Sequence, residues 1–189
     1  MLIARIVHSE SHTIYVGKVI EKREVENPPS KEDFAFGNFV KISAEAESFF
    51  GIIFDTVLQS PNNSLMSPIS FPDQAREIFT PDQINTCATL IRILILGTLE
   101  QDKVLQGIAP KSISFGADVF KASEKEIEHF HRSDGKLKIG YFSHLKPHAG
   151  EFALPLFEII IEKLKNFASS DEKDCLEVLR KAMTIQQNL

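Results

Sequence analysis

Six histidines, two cysteines and three aspartates beside strand-like runs are the residues of this chain whose types could do chemistry. His129-Phe130-His131 and the pair His144 and His148 come near to metal-ligand spacings, which need imidazoles converging on one point. Residues two apart on a helix face different ways, so His129 and His131 cannot share an ion while a helix persists. Pro147 is expected to prevent a continuous helix between His144 and His148. With no HExxH or thiolate pair beside them, these are read as surface or helix-end histidines, and His8 and His12 as turn-flanking ones. Cys87 precedes a run of strand formers and is expected to be buried rather than nucleophilic. Asp33, Asp55 and Asp118 could form a carboxylate constellation, but single carboxylates near strand ends ordinarily serve turns and edges.

Phosphate chemistry lacks its usual frame. A P-loop needs GxxxxGK followed by Ser or Thr, so that backbone amides, lysine and hydroxyl surround phosphate and magnesium. The two Gly-Lys pairs, Gly17-Lys18 and Gly135-Lys136, are followed by Val19 and Leu137, with His12 and Phe130 where the leading glycine belongs. GxGxxG and GxSxG are absent too. The stretch DFAFGNFVKI (33–42) approaches an RNP-like strand, in which alternate aromatics stack bases. Phe34 and Phe36 would do the stacking, with Lys18, Lys22 and Arg23 as the nearest basic group. Its flanks fail, because Glu32, Asp33 and Gly37 stand where a cation, a glycine and an aliphatic residue belong. Fifteen phenylalanines with no tryptophan favour a Phe-packed core. No catalytic residue, metal ligand or cofactor is therefore assigned.

Composition bounds the rest. The 189 residues are 43% hydrophobic and 25% charged, which is the make-up of a folded domain with an extension. A formal charge of −5 gives no global attraction to nucleic acid. The start MLIARIVHSE has no apolar leader region, and LIRILILG (90–97) is interrupted by Arg92 and too short to span a bilayer. The expected location is the cytoplasm, with no membrane partner.

The elements that would position these residues are mostly strands in the first two thirds. LIARIVHS (2–9), TIYVGKVI (13–20), FGNFVKIS (36–43), FFGIIFDTVL (49–58), ATLIRILILGTL (88–99) and SISFGADVFKA (112–122) are rich in β-branched and aromatic residues and separated by turn chemistry. The segment 61–85 holds four of the nine prolines and reads as a long insert. At Ser123-Glu124-Lys125-Glu126 a capping box starts a helix to about Arg132. Asp134-Gly135 makes a turn, and LKIGYF (137–142) an extended segment. Two helices follow. Leu154, Phe157, Ile160, Ile161, Leu164, Phe167 and Ala168 stripe the first, and Cys175, Leu176, Val178, Leu179, Ala182 and Met183 the second, from about Ser170. Their faces are expected to pack within the chain. The fold class predicted is mainly β with C-terminal helices (α+β): a six-stranded antiparallel Greek-key-like barrel over 1–122 and a helical extension over 123–189.

The order of these phrases, from GKVIE through FGNFVKIS and FFGIIFDTVL to QGIAPKSISFGADVFKAS, resembles the HAS barrel, the N-terminal barrel of HerA-type DNA translocases and F-type ATP synthase subunits. The likeness covers residues 1–122, and is most specific where a glycine and proline turn precedes Gly116 and Asp118-Val119. It implies a module that orders ATPase rings and docks partners, and carries no catalytic residues with it. This chain departs from the pattern after residue 122, where a P-loop core would begin. The leading expectation is a non-enzymatic assembly or docking module, accessory to a separately encoded HerA-like ATPase or nuclease in DNA processing, or self-associating. The alternatives are a small nucleic-acid-binding barrel and an enzyme with a site in the 61–85 insert.

Overall fold

The computed structural model describes residues 1–22, 24–44, 47–59, 88–100, 103–133 and 135–187. The expected insert, Cys87 and Asp134 lie outside the described residues. Strands β1 (Leu2–Ser9), β2 (Ile14–Val19), β3 (Phe39–Ala44), β4 (Glu47–Gln59), β5 (Ala88–Glu100) and β7 (Asp118–Lys121) form one sheet with β6 (Lys103–Gln106). The order β1-β2-β5-β4-β3-β7 returns to β1, with every pairing antiparallel, so six strands close a barrel. The order is that of a Greek key, because β5 crosses back to β2 and β7 fits between β1 and β3. β6 is additional to the six predicted strands and pairs with the end of β5 beyond the β2 contact.

Two predicted strands are shorter than their apolar runs. The 36–43 run pairs only from Phe39, because Gly37 turns the chain at φ 79° and its N–H donates to the Ile53 carbonyl (2.7 Å). In the 112–122 run only Asp118–Lys121 pairs, and the Gly116 N–H closes the preceding turn onto the Ile6 carbonyl (2.8 Å).

The barrel interior is filled by side chains from all six strands, among them Ile3, Tyr15, Ile42, Phe49, Ile93 and Val119. Tyr15 brings a hydroxyl into this core, where it accepts the Ile113 N–H (3.1 Å). Gly51 leaves room for Ile93 in this core: a Cβ there would lie 2.7 Å from Ile93 Cγ2.

A second core lies on the outer wall of β3, β4 and β5, where Phe39, Phe50, Ile52, Phe54, Leu94 and Leu96 meet the helices. This explains the apolar stretches 49–54 of β4 and 93–96 of β5: alternate residues fill the barrel or face the helical layer, and both sets are buried. The layer comprises α1 (Glu124–His131), α2 (Phe142–Ala149), a 3₁₀ turn (Gly150–Phe152), α3 (Ala153–Lys165) and α4 (Ser170–Gln187). A two-stranded ribbon, β8 (Arg132–Ser133) with β9 (Lys136–Leu137), follows α1. Packing on the barrel accounts for the α3 stripe, of which Phe157, Ile160, Ile161 and Leu164 are buried, while Leu154 is only partly buried and Leu156, outside the predicted stripe, is fully buried. In α4 only part of the predicted stripe is covered: Leu176 and Met183 are buried, while Cys175 and Ala182 are exposed and Val178 is 66% exposed. The helix α2 runs through Pro147, where an interruption was expected. Burial of Leu145 and Ala149, one turn apart, holds it despite the lost N–H. Its first residue, Phe142, also ends the extended 137–142 segment early. No helix among the described residues is long and apolar enough to cross a membrane.

Candidate functional site

Helices α1 and α3 meet the rim of the barrel at a cleft of about 430 Å³ whose lining includes Asn38, Phe39, Lys121, Ile127, Lys163 and Phe167. Its walls are set by local rules. The capping box starts α1 as predicted, with the Glu126 carboxylate taking the Ser123 N–H (2.9 Å) and the Lys41 ammonium (3.0 Å). Opposite, the last turn of α3 projects Lys163 over the Phe39 ring, its Nζ 5.7 Å from the centroid. This ammonium donates to the Gly37 carbonyl (2.8 Å) and the Asn38 side-chain oxygen (2.9 Å). Gly37 permits the approach of α3, since a Cβ there would fall 2.7 Å from Ile159 Cγ2. Burial holds the Lys163 amine below the ordinary lysine range, and the positive charge of Lys121 adds to the effect. Lys121 is itself paired with Asp33 (2.9 Å). The Asp33 carboxyl is held down to about 2, first by the Ser30 hydroxyl and then by Lys121.

His131 ends α1, as the helix-end reading has it, but is wholly buried rather than on the surface, whereas His129 in the same turn is exposed. Its Nδ1–H donates to the Ile127 carbonyl (2.7 Å), which leaves Nε2 to accept the Tyr141 hydroxyl (2.7 Å). Phe39, Phe50 and Phe130 pack around the imidazole. Desolvation pushes its pKa down to about 4, with the bond to Ile127 opposing. Both ring nitrogens are engaged in an apolar cage, so the pair joins α1 to the chain entering α2 and offers no base to a substrate. The signal was helical periodicity: Ile127, Phe130 and His131 occupy three- and four-residue steps on one face.

Other candidates are dispersed. Asp33, Asp55 and Asp118 do not form a constellation, because each meets its own cation: Lys121, Arg92 and Arg5. His144 and His148 share a face of α2 with ring centroids 6.3 Å apart, and His148 Nδ1 lies 3.4 Å from the Thr13 hydroxyl. His12 donates to the Ala109 carbonyl (2.7 Å), and His8 is exposed on β1. Among the described residues no three His, Cys, Asp or Glu side chains are placed to hold a metal ion.

The aromatic pair of the nucleic-acid reading is divided between two cores. Phe34 packs against the barrel interior, and Phe36 against the helical layer, edge-on to Phe152 at 5.9 Å. They lie in a turn rather than on a strand face. Lys18 meets Glu24 at 3.8 Å, Lys22 is exposed, and Arg23 lies outside the described residues.

One part of the barrel wall is not under the helices. There Val7, Val16, Val57 and Leu90 line a shallow groove of about 410 Å³ with Arg92 and Glu10 at its edge. The Arg92 guanidinium binds Glu10 and Asp55 and covers the Phe54 ring at 4.8 Å, so the residue that interrupts the apolar run of β5 points outward. Val57 is 42% and Leu58 80% exposed at the end of β4.

A family model described as "Domain of unknown function (DUF8166)" matches residues 1–189. A search of curated proteins finds no match to the chain.

Proposed function

We propose that this chain, which belongs to the DUF8166 family, is a non-enzymatic assembly or docking module, accessory to a separately encoded HerA-like ATPase or nuclease in DNA processing. The observation that carries the reading is the bare part of the barrel wall: an apolar groove bounded by a charged edge, beside Val57 and Leu58. The filled barrel interior and the HAS-like strand order support it further, because such a barrel acts through its outer surface. Full burial of a Val or Leu side chain is worth roughly 1.5–3 kcal/mol, so covering the exposed parts of Val57 and Leu58 contributes about 3 kcal/mol before ordering costs. The charged edge contributes orientation more than affinity.

The test is quantitative co-purification of a tagged chain from its native cells with nuclease added. A ring ATPase or nuclease should be recovered with the unaltered chain and lost from a Val57→Asp, Leu58→Asp double variant that keeps its melting temperature. Equal recovery with both proteins contradicts this wall as the docking surface, and recovery of neither partner contradicts the module.

A further inference from the structure

We propose that the cleft between α1 and α3 is a binding site for a small monocarboxylate with an apolar body, its carboxylate received by Lys163. The argument begins from charge pairing. A cation withdrawn from water is ordinarily matched by an anion. Among the described residues the half-buried cations Lys18, Lys41, Arg92, Arg132, Lys165 and Arg180 each meet a carboxylate. Lys163 is half-buried too, yet its two bonds go to neutral oxygens, and the neighbouring charge acting on it is the repulsive one of Lys121. Among the cations that line the cleft, Lys163 is therefore the half-buried one without a counter-ion; Lys125 is exposed to water on α1.

The surroundings narrow the ligand. Lys121 is already neutralised by Asp33, and Glu124 and Glu128 stand on the α1 side of the cleft, with Glu128 turned toward Arg132 at 3.7 Å. One half-buried positive charge without a counter-ion, facing two carboxylates and the exposed Lys125 of α1, suits a single negative charge and disfavours a dianionic phosphate. Phe39, Ile127 and Phe167 supply apolar surface for the remainder of the molecule, while Asn38 and Asn166 supply amides. The volume of about 430 Å³ lies within the usual range of small-molecule sites. This site is independent of the docking wall, which lies on the part of the barrel that the helices leave bare.

The test uses the whole chain with benzoate as probe and neutral benzamide as control, following lysine side-chain resonances by NMR. Without ligand, Lys163 should titrate below the other lysines. Saturating benzoate should move its titration upward and shift the Asn38 and Asn166 signals, and benzamide should do neither. Lys163→Gln keeps a donor for Gly37 and Asn38 but lacks the charge, and should bind benzoate at least about tenfold more weakly. Lys163→Arg should retain binding better than the glutamine variant. A Lys163 resonance unmoved by benzoate up to tens of millimolar overturns the proposal, as does equal binding of benzamide. The titration on the unaltered protein decides the matter even if a variant fails to fold.

Discussion

Part of this protein's sensitivity to acid should come from one buried residue. His131 is buried with its pKa pushed down to about 4 from an ordinary 6.5, so the unfolded chain takes up its proton first as the pH falls. For a group whose folded pKa is depressed in this way, stability is complete above about pH 6.5 and is lost progressively down to about pH 4. The fall from 6.5 to about 4 corresponds to roughly 3 kcal/mol in full, about 1 of it gone by pH 5.5 and roughly 2–3 by pH 4.5. Urea unfolding at pH 7.5, 5.5 and 4.5 measures this directly. The comparison is His131→Phe, which cannot protonate and leaves the Tyr141 hydroxyl without its acceptor, at a cost of about 2 kcal/mol at pH 7.5. The gap between the two proteins should close as the pH falls, vanish near pH 5 and be slightly reversed at pH 4.5. The carboxylate pairs common to both proteins, Asp33 with Lys121 among them, cancel in the difference. Two stability curves falling in parallel from pH 7.5 to 4.5 would refute the assignment of the acid sensitivity to His131.

The remaining predictions concern packing and accessibility. Gly51→Ala should lower stability by about 1–3 kcal/mol, seen as a reduced melting temperature, because the added methyl would meet Ile93 and the Leu94 carbonyl inside the barrel. Ser123→Ala should cost about 1 kcal/mol by removing the serine half of the capping box of α1. Cys175, exposed on α4, should react with a thiol reagent in the folded protein without prior unfolding, and protection there would show that the outer face of α4 is covered in solution.

Much of the architecture was legible because local chemistry and burial agree. β1 occupies the predicted 2–9 run, the Ser123 capping box opens α1, and α4 starts at Ser170, where the apolar period resumes. The runs of β4 and β5 were legible as strands but not in what covers them: an unbroken apolar sequence shows that both faces are buried without saying that helices cover one of them. The predicted starts of β3 and β7 came too early, since Phe36 and Ile113 are apolar for packing while the glycine turns beside them prevent pairing. Short β6 has a single barrel neighbour and little pattern, and α2 is hidden by Pro147.

The candidate sites were harder to read because they depend on contacts distant in the chain. Lys163 looks like a solvated lysine near a helix end until the turn at Gly37, 126 positions away, comes up beneath it. His131 was passed over for its polar type, although its helical position is that of a core residue. The bare wall cannot be recognised until it is known which outward residues the helices cover.

The assembly role is tested most directly by native mass spectrometry of the chain purified from its own cells at moderate salt with nuclease added. The account predicts a defined complex containing this 21.3 kDa chain and a ring ATPase or nuclease in whole-number ratio. A chain recovered alone, or a complex that nuclease disperses, would contradict it.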